Sequence, residues 1–335
     1  MLQLPAIGVI VNPSAGRDVR RLVSWANAVS HQEKVNTVLR LLGAAAALGL
    51  RQAWLMPDPA GLGARIAEKA RTAQAAGGAV LPEVRMLPID CRDRVDDSLQ
   101  AARALRAMGV AAMAVLGGDG THRAVAQGCG DLPLLALSTG TNNAFPDLRE
   151  PTLSGIALGL YLSGRIPDAI ALRPNKVLRV HGVQGEAIAL VDVVVTRQRA
   201  VAARAVYSAD DVHSVYVSFA QPQSIGLSSI AAWVQPVQRT QPWGLQVELG
   251  GARTLRAPLL PGVLQAVGVG AVRRLLPGQE QVLPALAGTL AFDGEREWLL
   301  DPSQPPAIWL ELDGPRTLAV EDILDYAGAH GLLLS

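Results

Sequence analysis

The chain has 335 residues, half of them hydrophobic and 18% charged, which is enough apolar material for two domain cores. Its formal net charge is +1, without a basic arm or an acidic tail, which argues against nucleic acid or an anionic membrane as a partner. The two cysteines and five histidines lack metal-ligand spacing, so no Cys/His metal site is expected. Residues 1–12 predict a first strand rather than a signal peptide, and the longest charge-free stretch, 257–272, is shorter than the roughly 20 apolar residues of a membrane span. We therefore expect a soluble, cytoplasmic protein.

Residues 1–150 alternate between apolar strand-like runs and helical segments. Strands are predicted at 7–11, 52–56, 84–89, 111–116 and 134–137. Helical segments are predicted at 19–48, with a break near Ser30 and His31, and at 62–74, 93–108 and 121–127. Strands separated by helices require crossover connections, so the pattern predicts a parallel sheet with helices on its faces.

The pattern changes at about residue 151. After a helix near 153–162, strand-like segments dominate, at 177–180, 187–196, 215–219, 245–249, 263–269, 290–292 and 308–312. Because few helices intervene, we predict a largely antiparallel, β-rich second domain over residues 151–316. A closing helix at 319–329, within the last segment 317–335, is expected to pack back on the first domain.

The run Gly117-Gly118-Asp119-Gly120-Thr121 follows a predicted buried strand. Its glycines leave room for close approach to an anion, Gly120 permits positive φ, and a helix that opens at Thr121 adds its positive dipole end. A carboxylate among phosphates suits a Mg²⁺ contact or a base for an acceptor hydroxyl, which are the roles we expect for Asp119. The alternative is an Asp-Gly turn that binds nothing. The next two residues, His122 and Arg123, could each reach a phosphate, but we expect both on the helix surface.

Two further polar turns follow predicted strands, at 12–16 and 139–143. In the first, a phosphate could be met by Asn12, Ser14 and Gly16, although turn chemistry alone also explains these residues. The second turn is dense in hydroxyls and amides that suit a ribose, an adenine edge or a helix cap; its residues are Thr139, Gly140, Thr141, Asn142 and Asn143. Ligands bind beyond the carboxyl ends of parallel strands, so we expect all three turns along one rim.

A fourth polar segment, Asp293-Gly294-Glu295, lies between two apolar strands near the end of the chain. Asp-Gly favours a tight hairpin turn. The carboxylates of Asp293 and Glu295 join the rim only if the second domain folds over the first.

These four motifs, in this order, resemble those of the NAD-kinase and diacylglycerol/sphingosine-kinase superfamily over nearly the whole chain. Longer strings are most similar to its acetoin catabolism protein X (AcoX) branch of ATP-NAD-kinase-like proteins, at 16–22, 115–128, 137–146 and 226–231. The resemblance implies a Rossmann-like first domain over 1–150, an NAD kinase-like second domain and an active site in the cleft between them. It further implies ATP and Mg²⁺ as cofactors and a homo-oligomer, a dimer or larger.

The resemblance also implies roles for single residues. Asp119 would help to deprotonate the acceptor hydroxyl, while the neighbouring glycines and Thr121 contact phosphates. Asn142 and Asn143 match nucleotide-holding positions, and Asp293 and Glu295 match carboxylates near the phosphoryl-transfer centre. The Asn-Glu pair that grips the acceptor in NAD kinases is replaced by Val191 and Asp192.

The motifs together predict an ATP-dependent phosphotransferase that acts on a hydroxyl of NAD or a related small molecule, linked by resemblance to acetoin catabolism. Two alternatives stay open. One is a non-catalytic sensor or accessory protein that binds ATP or NAD(H), and the other is a lipid kinase. The acceptor and the phosphoryl donor, ATP or polyphosphate, are left undecided by the residues.

Overall fold

The computed structural model describes residues 6–14, 29–77, 80–94, 96–140, 143–199, 206 and 208–334. Its helices are α1 (His31–Ala47), α2 (Leu62–Ala75), α3 (Asp97–Ala107), α4 (Asp119–Cys129), α5 (Pro151–Leu162), α6 (Asp168–Ala171), α7 (Ser228–Val234) and α8 (Val320–Ala329). Its strands are β1 (Ala6–Val11), β2 (Gln52–Leu55), β3 (Glu83–Met86), β4 (Ala112–Gly117), β5 (Leu134–Ser138), β6 (Leu172–Arg173), β7 (Val177–Gly182), β8 (Gly185–Ala189), β9 (Asp192–Thr196), β10 (Val212–Val217), β11 (Gly244–Leu260), β12 (Val263–Leu275), β13 (Gln281–Val282), β14 (Gly288–Phe292), β15 (Glu295–Leu300), β16 (Ala307–Glu311) and β17 (Thr317–Leu318).

The first sheet has the strand order β3-β2-β1-β4-β5-β17-β6. The pairs from β3 to β17 are parallel, and β6 closes the edge in the antiparallel sense. The parallel sheet predicted from the alternation of strands and helices is therefore confirmed. Because β1, β4 and β5 are neighbours, the turns that follow them leave the same edge of the sheet.

Helices cover both faces of this sheet. Along β1 the side chains of Ile7, Val9 and Val11 enter a core with α1, α2, α5 and α8. Ile10 points the other way, into a core with α3 and α4. Side chains alternate between the faces of a strand, so an apolar residue at nearly every position requires burial on both sides.

The β-rich part contains two antiparallel sheets, with the orders β12-β11-β10-β9-β14-β15 and β13-β16-β7-β8. One apolar core joins them, with Val180 of β7 and Val193 of β9 among its residues. The antiparallel prediction is confirmed. The segment 187–196, expected as one strand-like run, is split between β8 and β9 in different sheets, because the chain turns at Leu190 and Val191.

The end of the chain returns to the first sheet. Thr317 of β17 pairs with Leu134 of β5, and Ile323 and Ala327 of α8 enter the core below that sheet. The domain limits at 150 and 316 stay a prediction. Among the described residues, none of the helices is both long and apolar enough to cross a membrane.

Two helices begin at residues other than those predicted, and a third begins at the predicted break. Helix α3 begins at Asp97 instead of 93, because Asp93 has a φ of 59° and the Asp97 carboxylate accepts the N–H groups of Arg92 and Arg94. Ser30 caps α1, in agreement with the predicted break; residues 15–28 lie outside the described part. Helix α4 begins at Asp119 rather than Thr121.

Candidate functional site

Helix α4 starts directly at the end of β4. Gly118 is its N-cap and, having no side chain, makes no cap hydrogen bond to the first turn. The first N–H groups of a helix lack partners within the helix, and they carry the positive end of its dipole. Gly120 lies within α4 and does not have a positive φ, so the expectation of positive φ there is wrong.

The two glycines that precede α4 make room for other parts of the chain. A Cβ on Gly117 would lie 2.5 Å from the Cβ of Thr121, and one on Gly118 would lie 2.8 Å from Oδ1 of Asn143. Asn143 in turn donates from Nδ2 to the hydroxyl of Ser138 at 2.8 Å. The turn after β4 and the turn after β5 are therefore packed against each other.

The turn after β1 joins the same group. Nδ2 of Asn12 donates to Oγ1 of Thr121 at 2.9 Å, and Oδ1 of Asn12 accepts the N–H of Ser14 at 2.9 Å. The hydroxyl of Ser14 donates to Asp93 at 3.1 Å. Lys34, buried in α1, donates from Nζ to the carbonyls of Asn12 and Pro13, each at 2.9 Å. Gly16 lies outside the described residues.

The turn after β5 is only partly described. The N–H of Thr139 donates to the carbonyl of Gly117 at 3.3 Å, and the N–H of Gly140 donates to Ser138 at 3.2 Å. Oγ1 of Thr139 is buried without a hydrogen-bond partner in the described part of the chain. Thr141 and Asn142 are outside the described residues.

Asp119 faces the peptide groups that follow Asn143. Its carboxylate accepts the N–H of Ala144 at 3.1 Å and the N–H of Phe145 at 2.8 Å. Hydrogen bonds from N–H groups stabilise the charged form of a carboxylate and fix its direction.

The β-rich part brings the predicted Asp-Gly-Glu hairpin to α4, but its two carboxylates have different surroundings. Oε1 of Glu295 lies 3.6 Å from the point that a Cβ on Gly120 would occupy. Asp293 is buried, and its carboxylate accepts the N–H groups of the turn between β8 and β9, at Leu190, Val191 and Asp192. Glu295 therefore faces the turn after β4, whereas Asp293 holds the turn that connects the two sheets of the β-rich part.

Burial dominates the electrostatics of Asp293. It raises the pKa of the carboxyl to about 7; the charge of Arg123 opposes the shift and that of Asp119 adds to it. The backbone N–H groups also lower the pKa, but they do not offset the loss of water around the carboxylate.

The expectation that His122 and Arg123 lie on the helix surface is wrong, because both are buried. Nδ1 of His122 contacts the carbonyl of Gly118 at 2.9 Å, and burial lowers the pKa of this imidazole to about 4, so it is neutral at pH 7. Arg123 pairs with Glu297 and approaches Asp293 to 3.8 Å. Arg123 thus ties α4 to the hairpin of the β-rich part.

A second arginine was not found by sequence reasoning. Arg239, in a segment without a recognisable motif, donates to the carbonyls of Ala144 and Phe145, each at 2.7 Å. Its guanidinium lies over the ring of Phe219, 4.2 Å from the centroid. Burial lowers the pKa of Arg239 to about 10, with the carboxylates of Asp147 and Asp119 opposing the shift, so the side chain stays cationic at pH 7.

The position where NAD kinases carry an acceptor-gripping asparagine is apolar here. The side chain of Val191 is buried in a cluster with Leu190, Phe145 and Phe219. Asp192 follows it as the first residue of β9 and is also buried.

Among the described residues, no group of three or more His, Cys, Asp or Glu side chains could hold a metal. Mg²⁺ in phosphoryl-transfer sites is bound through one or two carboxylates together with phosphates of the substrate. The carboxylates of Asp119 and Glu295 fit that requirement in their chemistry and in their place beside the first turn of α4.

The parallel sheet, the helix that begins at the end of β4 and the Asp-Gly-Glu hairpin that the β-rich part brings to it agree with the NAD kinase-like fold predicted from the sequence. The family model described as ATP-NAD kinase N-terminal domain matches residues 7–166. The model described as acetoin catabolism protein X C-terminal domain matches residues 176–314. Acetoin catabolism protein X of Cupriavidus necator is 43% identical over 340 aligned positions, covering 99% of this chain and 94% of that relative. The chain belongs to the acetoin catabolism protein X family.

Solved structures with a similar course of the chain include a candidate diacylglycerol kinase from Bacillus anthracis strain Sterne. It is 13% identical, with a TM-score of 0.46 over 95% of this chain and 98% of that one. A second structure of such a protein from the same strain has 13% identity and a TM-score of 0.42, over 94% and 98% of the two chains. Likeness at this level says nothing about activity.

Proposed function

We propose that the protein is an ATP-dependent phosphotransferase of the NAD kinase type, which transfers a phosphoryl group to a hydroxyl of NAD or a related small molecule. The observation that carries this proposal is the position of Asp119, a carboxylate fixed by two N–H groups in the first turn of α4, directly after the N-cap Gly118. The match to the ATP-NAD kinase N-terminal domain supports the use of a nucleotide.

The phosphates of the donor are expected at the first turn of α4. Its N–H groups and dipole favour an anion. Oγ1 of Thr121 accepts from Asn12, so the proton of its hydroxyl is available for a phosphate oxygen. The hydroxyl of Thr139, which has no hydrogen-bond partner among the described residues, offers a second donor on the same rim. Gly140 and Asn143, and Thr141 and Asn142 in the same turn, complete the proposed nucleotide contacts.

Asp119 serves as the general base in this proposal. It accepts the proton of the acceptor hydroxyl as that oxygen attacks the γ-phosphorus of ATP. The bond between the γ-phosphorus and the β,γ-bridging oxygen breaks, and ADP leaves. Catalysis of this reaction depends on positioning and charge stabilisation, which is the reason for a base held by backbone groups. Mg²⁺, held by Glu295 together with phosphate oxygens, would neutralise the charge that develops on the phosphates; a Mg²⁺ contact of Asp119 is the alternative to its role as the base.

The acceptor side differs from that of NAD kinases. Val191 offers no side-chain amide, and Asp293 is committed to the turn at 190–192. Of the second-domain residues predicted to meet the acceptor, Asp192 and Glu295 are left. We therefore propose NAD or a smaller hydroxyl compound as the acceptor, bound with fewer polar contacts than in NAD kinases.

Purified protein incubated with ATP, Mg²⁺ and NAD tests this proposal, with NADP as the measured product. We expect turnover in the wild-type protein and none in Asp119→Asn. Asp325→Asn, at an exposed position of α8, is the control and should keep full activity. Absence of turnover with NAD and with a panel of nucleosides and polyols would refute the proposal.

The apolar burial of Val191 favours a second candidate function, a non-catalytic protein that binds ATP or NAD(H). Calorimetry separates the two, since this candidate requires binding without turnover. A lipid kinase would additionally sediment with lipid vesicles. A cytoplasmic location and a homo-oligomer belong to the main proposal, and light scattering of the purified protein tests the oligomer.

A further inference from the structure

Two consecutive residues, Ala144 and Phe145, are held from opposite sides. Asp119 of α4 accepts both of their N–H groups, at 3.1 and 2.8 Å. Arg239, which follows α7 in the β-rich part, donates to both of their carbonyl oxygens at 2.7 Å. The proposed base and this arginine therefore share the same short segment, which comes directly after Asn143.

Arg239 is itself fixed in place. Its guanidinium contacts two rings, at 4.2 Å from the centroid of Phe219 and 5.1 Å from that of Phe145. It also donates to Oδ1 of Asn175 at 3.3 Å, and the Nδ2 of Asn175 is bound to Thr317 at 3.0 Å. The segment 144–145 is thus connected to the β-rich part through a rigid side chain.

Arginine suits this position better than lysine. A planar guanidinium can stack on aromatic rings while its nitrogens donate to several oxygens in one plane, whereas a lysine ammonium cannot do both. The hydrogen-bond partners of Arg239 in the described part of the chain are neutral oxygens. The hydrogen bonds of Arg239 therefore hold backbone and side-chain amide oxygens, while the carboxylates of Asp147 and Asp119 act on it through their charges.

We propose that Arg239 is a positioning residue, which holds residues 144–145 so that Asp119 stays aimed at the acceptor hydroxyl. The effect of Arg239 on the reaction rate rests on the proposed phosphotransferase function, but its effect on the position of residues 144–145 does not. The test therefore measures the segment and the reaction separately.

Hydrogen exchange at the amides of Ala144 and Phe145 measures the segment. In Arg239→Met we expect these two amides to exchange about tenfold faster or more. Without the guanidinium, the segment can open locally without breaking the hydrogen bonds to its carbonyl oxygens. In Arg239→Lys the exchange rates of the two amides should lie between those of Arg239→Met and those of the wild type. Arg179→Met, which removes an arginine bound to Glu311 and Asp313 away from this site, is the control and should leave both amides unchanged. Wild-type exchange in a folded Arg239→Met protein would overturn the proposal.

Steady-state kinetics measures the reaction. We expect kcat of Arg239→Met to fall about tenfold or more, with KM for ATP within about twofold, because a misplaced base slows the chemical step while the phosphate turn is untouched. Partial recovery in Arg239→Lys is expected, and this variant replaces Arg239→Met if the latter does not fold. A change confined to KM for ATP, or an equal loss in Arg179→Met, would contradict a positioning role. If the wild-type protein shows no turnover, the proposed function fails, and hydrogen exchange alone decides the role of Arg239.

Discussion

Asn12 and Thr121 are separated by 109 residues in the chain, yet Nδ2 of Asn12 lies 2.9 Å from Oγ1 of Thr121. The contact follows from the sheet, since β1 and β4 are parallel neighbours with Val11 opposite Leu116. The carboxyl ends of the two strands therefore meet, and the polar turns that follow them form one surface.

Substitution Asn12→Ala removes this bond and the one from the N–H of Ser14. We expect the free energy of unfolding to fall by about 1–2 kcal/mol and ATP to bind more weakly, because the Thr121 hydroxyl loses its orientation. Calorimetric titration with ATP measures the affinity. Gln32→Ala, which removes an exposed hydrogen bond to Asn36, is the control and should bind ATP normally. Unchanged affinity in Asn12→Ala would show that this turn takes no part in binding.

Substitution Gly117→Ala places a Cβ 2.5 Å from the Cβ of Thr121. That atom is attached to the helix backbone and cannot rotate away, so the start of α4 has to move. We expect a loss of about 2 kcal/mol in the free energy of unfolding, as in other overpacked sites, and loss of ATP binding. Thermal unfolding with and without ATP measures both effects.

Gly43→Ala is the matched control for that change. A Cβ on Gly43 of α1 would meet its nearest neighbour, Leu81, at 3.7 Å, which is an ordinary contact. Alanine is the better helix former, so the free energy of unfolding of this variant should rise by about 0.5–1 kcal/mol. Equal destabilisation of the two variants would contradict the steric explanation for Gly117.

The buried carboxyl of Asp293 should give the protein a specific pH dependence. Its pKa is raised from 3.8 to about 7, so between these values the folded protein binds a proton that the unfolded chain has released. The contribution of Asp293 to stability is therefore present at low pH and lost as the pH rises to 7, by up to about 1.4 kcal/mol per pH unit. Urea unfolding of the wild type and Asp293→Asn at several pH values measures it. The difference between the two proteins should fall from about pH 5 to 7 and then level off; a constant difference would show that Asp293 does not titrate there.

The buried Lys34 and the exposed Lys69 allow a comparison of the same substitution at two positions. Lys34→Met removes charged hydrogen bonds to the carbonyls of Asn12 and Pro13, so we expect the free energy of unfolding to fall by about 2 kcal/mol or more. Lys69→Met, on the surface of α2, should change stability by no more than about 0.5 kcal/mol. Denaturant titration of both variants provides the comparison, and similar values for the two would contradict a supporting role for Lys34.

Much of the fold was predictable from local patterns. Apolar runs followed by Asn12, by Gly117 and by Thr139 identified three strands with polar turns, and the alternation with helices identified the sheet as parallel. The Asp-Gly pair at 293–294 predicted a hairpin, and both residues have the positive φ that a tight turn requires, 50° and 81°. The start of α3 was misplaced because the turn at Asp93 depends on the Asp97 side chain, which no periodicity records.

The roles of individual site residues were less accessible. Asp293 and Glu295 are both acidic residues of one hairpin, and the sequence does not distinguish their roles. In the structure Asp293 holds the turn at 190–192, and Glu295 faces Gly120. His122 and Arg123 follow a polar motif and were expected on the surface, but Arg123 is buried in a pair with Glu297 of β15, and His122 is buried beside the ring of Phe145.

The sequence by itself determined the strands, the helices and the polar turns at strand ends, because each depends on residues close together in the chain. The tertiary structure alone decided that Asp119 and Arg239 hold the same two residues, Ala144 and Phe145. That arrangement joins three distant segments, and its hydrogen bonds form with backbone groups, which every residue carries and which therefore leave no trace in the sequence.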